Sequence, residues 1–303
     1  KWIEKFKTIE DTFKQRAAKE DIDSKFPFDN IKWLVEEGYS VLTLPKSYGG
    51  EGATIEDMVV LQSYLGAIDG ATALSIGWHL SVVGQLYQQH MWSQTMLDQF
   101  AKEVKNGALV NRAVSEADTG SPTRGGRPAT HAIKTKDGYK LNGVKTFTSM
   151  SKALTHYIVA AFVEDIQEVG FFLIPRESKG LEIADNWNML GMRATESHDL
   201  VLNDVIVPFE NFVETKHKPQ PNGWILHIPS VYLGIAQAAR DYAIEFAKTH
   251  SPNSIDGTIA TLPTVQQNVG KMESLLLSAR HFLWSTARGY NQYNETLNIW
   301  NET

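Results

Sequence analysis

The sequence predicts an α+β fold in which helices flank a central β-domain. Three observations carry this. Apolar residues recur at helical spacing over the first third of the chain. From Thr130 the pattern alternates, with Asp137-Gly138 and Asn142-Gly143 as turn signals. After Pro219-Gln220-Pro221-Asn222-Gly223 the helical period returns. Separate blocks of helix and strand favour α+β over a doubly wound sheet. The expected domains are an N-terminal helical domain (1–110), a central β-barrel or sandwich (111–217) and a C-terminal helical domain (218–303).

Each element has a local reason. Trp2, Ile3, Phe6, Ile9 and Phe13 form an apolar stripe, and Ile31, Leu34 and Val35 continue it. Pro45 and Gly49-Gly50-Glu51-Gly52 interrupt the helices. Thr54 is placed to cap a helix whose face carries Leu61, Tyr64, Leu65 and Ile68. Asp69-Gly70 separates it from an apolar helix ending near Tyr87. A short helix, Gln94 to Val104, stops at Asn106-Gly107. Asp-Gly and Asn-Gly favour the positive φ of tight hairpin turns, so both are expected to join strands. Strand-like runs are Lys145–Ser149, Tyr157–Val163, Gly170–Pro175 and Asp199–Val207. Val231–Lys248 and Val265–Tyr290 are expected helices, joined by a Pro-, Gly- and Ser-bearing loop.

Composition narrows the function classes. The chain has 303 residues, with 42% hydrophobic and 21% charged, as in ordinary globular proteins. A net charge of −6 argues against a nucleic-acid binder acting through bulk positive charge. No apolar run reaches the roughly 18 residues of a membrane span. Without cysteine there is no disulfide, thiolate metal site or cysteine nucleophile, which fits a cytoplasmic protein. The first residue is not Met, and no helix-ending signal closes the chain, so a clipped sequence is expected.

Nine histidines form no metal signature, and nucleotide-binding glycine loops and the serine-hydrolase elbow are absent. The turn Ala113-Val114-Ser115-Glu116-Ala117-Asp118-Thr119-Gly120-Ser121 stands where helix gives way to sheet. Its backbone N–H groups and hydroxyls could meet a phosphate or a planar heterocycle, or simply solvate a loop. Arg124 and Arg127 flank a glycine pair and could meet an anion or water.

The turn resembles the acyl-CoA dehydrogenase signature. Tyr48-Gly49-Gly50-Glu51-Gly52 is similar to that family's early glycine motif. Tyr139-Lys140-Leu141-Asn142-Gly143-Val144-Lys145-Thr146-Phe147 resembles its Leu-Asn-Gly-x-Lys-x-aromatic strand. Gly191-Met192-Arg193-Ala194-Thr195 and Asn203-Asp204-Val205-Ile206-Val207-Pro208-Phe209-Glu210-Asn211 resemble two later segments, in the family's order. The resemblance implies FAD held between β-domain and helices, usually in a homotetramer. It implies removal of an α-proton from an acyl-CoA by a carboxylate while hydride leaves the β-carbon. Val114 and Ser115 fall where the family contacts the flavin ring, Ser115 near the pyrimidine edge or N5. Phe147 falls where an aromatic packs on the flavin. Ser149 stands where a Thr binds the pyrophosphate, and Ser121 where a serine meets pyrophosphate and thioester. Gly120 and Thr148 complete the expected cofactor set, and Arg124 joins Ser121 toward substrate. An electron-accepting flavoprotein or oxygen is the implied partner.

The chain also departs from the family pattern. Pro122 replaces an Asp. Ser251–Gly257 carries no arginine where the family grips FAD of a neighbouring subunit. Ile225 stands near the position of a CoA-facing Arg, and Pro263 replaces a Gln. The usual glutamate base falls beyond Thr303. Trp224 occupies the position of the alternative one, which leaves His227 as the candidate within the chain. The same fold serves two-component flavin monooxygenases that use reduced FMN and oxygen. The Pro263-Thr264-Val265-Gln266 helix start resembles that branch.

Overall fold

A computed structural model describes the backbone of residues 1–120, 126–215 and 221–301, with side chains as far as Tyr290. Seven helices among the described residues are α1 (Trp2–Asp23), α2 (Phe28–Glu36), α3 (Ile55–Ile68), α4 (Gly70–Gln88), α5 (Gln94–Lys105), α6 (His227–Thr249) and α7 (Pro263–Asn301). Eight strands lie between α5 and α6: β1 (Val110–Ala113), β2 (His131–Lys134), β3 (Tyr139–Lys145), β4 (His156–Val163), β5 (Glu168–Pro175), β6 (Leu181–Ile183), β7 (Leu200–Val207) and β8 (Phe212–Thr215). The order is therefore helices, sheet, helices. Among the described residues, no helix is long and apolar enough to cross a membrane.

The chain packs into two compact units. One comprises residues 1–15, 54–74 and 225–303, and the other 16–53 and 75–224. The first unit is helical. Thr54 starts α3 with a reciprocal cap: its hydroxyl accepts from the Asp57 N–H at 3.1 Å, and the Asp57 carboxylate accepts from the Thr54 N–H at 2.9 Å. Helix α6 crosses α3 at Gly234, where a Cβ would lie 2.1 Å from the Ser63 carbonyl oxygen. Only glycine permits that approach. Helix α7 is tied to α3 by Arg288 on Glu56 at 2.7 Å, and to α6 by Arg240 on Glu273.

The second unit holds the sheet, in the order β6-β7-β3-β2-β4-β5-β8, with β1 beside β4. Strand β4 is buried at every position from Tyr157 to Val163, because β1 and β5 pair its edges and apolar side chains cover it. Leu86, Phe100, Ile158 and Leu173 share one core that joins α4 and α5 to these strands.

Two sequence expectations fail here. Asn142-Gly143 does not turn the chain; it lies inside β3, at a shift in its register against β7. Gly143 takes φ +150°, and a Cβ there would meet the Thr130 hydroxyl at 2.4 Å. The Asn142 side chain bonds the Asp204 N–H at 2.8 Å, so it stitches strands together. The expected strand Lys145–Ser149 also ends early. Strand β3 stops at Lys145, because the Thr146 N–H donates to the Ser115 carbonyl at 2.8 Å and Phe147 turns to φ +57°.

Candidate functional site

Strand β1 delivers the Val114–Gly120 turn, and buried polar contacts fix β1. His79 on α4 is fully buried. Its Nδ1 accepts from the Val110 N–H at 3.1 Å, and its Nε2 lies 2.9 Å from the Ser40 carbonyl. Those partners require the neutral ring with its proton on Nε2. Burial pulls its pKa down to about 4, against the opposing pull of the Ser40 carbonyl. One residue before the strand ends, Arg112 bonds the buried Glu214 carboxylate at 2.9 and 3.1 Å. That carboxylate also accepts from the Trp92 indole at 2.7 Å.

The turn itself is built on Glu116. The Glu116 and Gly120 backbones bond each other in both directions, at 2.9 and 3.0 Å. One carboxylate oxygen of Glu116 accepts from Lys145 Nζ at 2.7 Å and the Thr130 N–H at 3.0 Å. The other accepts from Thr119 Oγ1 at 2.6 Å and the Ala129 N–H at 2.7 Å. Burial alone would raise the Glu116 carboxyl, but bonds from Lys145, Thr119 and Thr130 hold it at about 2. Lys145 is wholly buried, and burial pulls its pKa down while Glu116 restores part of the loss. A charged pair, its carboxylate held by four donors, thus clamps the turn to the end of β3. Ser115 and Val114 remain half-exposed on this frame.

The loop after β3 lies against the 192–198 segment. The Thr148 N–H donates to the His198 carbonyl at 3.2 Å, and the Met150 N–H to the Thr195 carbonyl at 2.9 Å. Four of the eight non-glycine residues with positive φ among the described residues fall in these two segments: Phe147, Met150, Met192 and Glu196. Such backbone costs about 1–3 kcal/mol per residue and persists where surroundings over-determine it. Phe147 is 58% exposed, so packing does not repay its conformation. Its ring meets Trp187 edge-on at 5.9 Å. Trp187 is held in turn by His198, whose Nδ1 accepts from the Trp187 and Asn186 N–H groups at 3.0 and 3.1 Å. Burial and then nearby Lys152 push His198 below its ordinary pKa, which favours this accepting form.

The Ser149 hydroxyl lies 2.8 Å from that of Ser197, which lies 2.8 Å from Thr195 Oγ1. The Thr148 hydroxyl is buried and has no hydrogen-bond partner among the described residues. Such an orphan costs free energy until something bonds it. An exposed aromatic edge beside a frame of hydroxyls and backbone suits a planar heterocycle, so these residues fit a flavin.

Comparison with known proteins agrees with this reading of the fold. Residues 6–100 match the acyl-CoA dehydrogenase N-terminal domain, and residues 111–205 match the acyl-CoA dehydrogenase middle domain. Over 293 residues the chain is 52% identical to YdbM of Bacillus subtilis (strain 168), named for acyl-CoA dehydrogenase, covering 96% of this chain and 77% of that one. The chain belongs to the acyl-CoA dehydrogenase family. Among solved structures, butyryl-CoA dehydrogenase from Megasphaera elsdenii superposes with a TM-score of 0.82 at 19% identity, over 97% of this chain and 80% of that one. TdsC from Paenibacillus sp. A11-2, in complex with FMN and indole, reaches 0.83 at 20%, over 94% and 75%. At these identities the two structures show shared fold alone.

Within this acyl-CoA dehydrogenase frame, the structure gathers Val114, Ser115 and Gly120 on one turn and Phe147, Thr148 and Ser149 on one loop. The Thr146–Ser115 backbone bond joins the two. Ser121 and Arg124 lie outside the described residues. His227 is fully buried at the start of α6, in the other compact unit. Trp224 is buried, its indole donating to Gln88 at 2.6 Å. Sequence reading quoted Lys145 and Thr195 within motifs but gave them no role, and it missed Ser197 and Trp187. One signal was available for Lys145: it continues the inward parity of Tyr139 and Leu141 on β3, and a buried lysine needs an acid.

Proposed function

We propose that this acyl-CoA dehydrogenase family member is a flavin-dependent oxidoreductase that desaturates an acyl-CoA thioester between its α- and β-carbons. The observation that carries the reading is Phe147, an exposed aromatic held in left-handed backbone beside the Glu116-built turn. The flavin, when bound, supplies the hydride acceptor. FAD is the assigned form, with FMN as the alternative. Phe147 covers the ring. Ser115, beside Val114 and Gly120, offers its N–H and hydroxyl to the ring edge, and Thr148 and Ser149 contribute hydroxyl groups. Ser121 and Arg124 are assigned toward the cofactor phosphates and the thioester from their place in the family motif. Within the chain, His227 is the candidate for taking the α-proton. An electron-accepting flavoprotein or oxygen would reoxidise the cofactor, in a homotetramer or dimer.

The test is anaerobic. The flavin-loaded protein is titrated with a panel of saturated acyl-CoA thioesters while the oxidised flavin band is followed. Bleaching with at least one chain length is expected, and none across the panel would overturn the assignment. A second reading, a two-component monooxygenase, draws on the 251–257 loop without arginine and on a last helix that starts at Pro263. It predicts substrate-dependent oxygen uptake when reduced FMN is supplied.

A further inference from the structure

One ring nitrogen ties down the backbone of Trp187. His198 is 4% exposed, and its Nδ1 accepts from the Asn186 N–H at 3.1 Å and the Trp187 N–H at 3.0 Å. A nitrogen that accepts carries no proton, so the neutral ring has its proton on Nε2. That proton faces carboxylates: Asp185 Oδ1 lies 3.4 Å from Nε2, and Glu196 Oε2 lies 3.8 Å from it. Neither Nε2 nor Glu196 Oε2 completes a hydrogen bond among the described residues. Lys152 Nζ bridges the same two acids, at 2.9 and 3.5 Å, and Asp199 is the remaining charge near the ring.

A second proton on the ring reverses this arrangement. It must go to Nδ1, where it meets two N–H groups of like polarity and can accept from neither. The resulting cation gains at its other end, where Asp185 and Glu196 stand opposite Nε2. The charged ring is thus drawn to the acids and has lost its hold on the 186–187 backbone. Asn186 stays tied through its side chain, which donates to Asp199 at 2.7 Å and accepts from the Asp199 N–H at 3.1 Å. Trp187 has no such second tether. Its other hydrogen bond among the described residues runs from the indole N–H to the Met192 carbonyl at 3.3 Å, within the same loop. Residues 188–191 are exposed, Leu190 to 97%, so packing does not hold this loop down. Trp187 is also the ring that meets Phe147 edge-on.

Resting on the flavin reading above, we infer that His198 is a positioning residue with a pH-dependent grip: its neutral ring holds Trp187 against Phe147 beside the flavin site, and a proton on Nδ1 releases Trp187. Phe147 then loses the neighbour that fixes its ring, and the flavin site loosens in acid. Burial and Lys152 hold the ring neutral below its ordinary 6.5, so the grip is complete above that pH and is lost as pH falls through the lowered value.

The experiment follows amide hydrogen exchange of residues 185–192 by mass spectrometry from pH 8 downward, corrected for the intrinsic exchange rate. Dissociation constants of oxidised FAD and FMN are measured over the same range, and circular dichroism marks the pH at which the whole fold unfolds. The unsubstituted chain is compared with His198→Asn and His198→Leu. In the unsubstituted chain, protection should be constant above pH 6.5 and then fall by up to about tenfold per pH unit, as opening takes up one proton. Flavin affinity should weaken over the same range. Asparagine places its Oδ1 where Nδ1 stood and does not titrate, so His198→Asn should keep protection and affinity and lose both acid steps. Leucine offers no acceptor, so His198→Leu should show weak protection and weak affinity at every pH. Protection that stays constant down to the pH of unfolding overturns the inference, and so does an acid step that survives in His198→Asn. Flavin affinity that ignores the step, in a chain that binds flavin, overturns it as well. No flavin binding at pH 8 overturns the flavin reading instead, and the exchange step alone then decides the tether between His198 and Trp187.

Discussion

Lys145 Nζ sits 2.7 Å from Glu116 Oε1, with both side chains almost wholly removed from water. The strand end and the signature turn are thus joined by charge. The two partners are not equivalent. Glu116 accepts from three further donors, whereas among the described residues Lys145 Nζ donates to Glu116 alone.

Glu116→Gln should therefore cost more than Lys145→Met. The first leaves a buried ammonium unpaired, at roughly 3–5 kcal/mol. The second leaves a carboxylate that Thr119, Ala129 and Thr130 still bond. Denaturant unfolding of the two variants and the double variant measures the order. Equal losses would show that the surrounding donors do not matter.

Acid should destabilise the fold in two windows. His79 is kept neutral, its pKa lowered from 6.5 to about 4. Its contribution is present above 6.5 and lost as pH falls through 4. Glu116 is lowered from 4.5 to about 2, so its contribution is present above 4.5 and lost as pH falls toward 2. Thermal midpoints between pH 8 and 3 should fall first through the histidine window. His79→Gln should lessen that first fall, His198 and His156 keeping a share of it, and leave the second.

Phe147→Gly separates stability from binding. Glycine takes φ +57° freely, and the ring it removes is mostly exposed. Stability should hold or rise by up to about 1 kcal/mol, while flavin affinity drops about tenfold. Paired measurements of thermal midpoint and flavin dissociation constant check this. A stability loss above about 2 kcal/mol, with affinity intact, would make Phe147 a packing residue.

Gly234→Ala tests the helical unit. Its Cβ would fall 2.1 Å from the Ser63 carbonyl oxygen, so α6 and α3 must separate. A loss of roughly 1–3 kcal/mol is expected, despite the better helix propensity of alanine. A stabilised variant would show that the crossing can relax.

By itself the sequence determined the order helices, sheet, helices, because apolar period is a local property that survives in one dimension. Thr54 before Asp57, and Asn106-Gly107 after α5, could be read as helix ends because caps involve neighbours a few residues apart. The motifs at Ser115 and Phe147 were legible for the same reason. Tertiary structure alone decided what Asn142-Gly143 and residues 146–149 do. Asn-Gly prefers a turn, but Thr130 packed against Gly143 and Asp204 bonded to Asn142 keep it within β3. Phe147 leaves the strand because its neighbour Thr146 bonds Ser115, 31 positions earlier. The Glu116–Lys145 pair and the Ser149–Ser197–Thr195 chain join residues 29 and 48 positions apart in sequence, where no local pattern reports them. Buried polar groups must find partners wherever the fold brings them, and that search is settled in three dimensions.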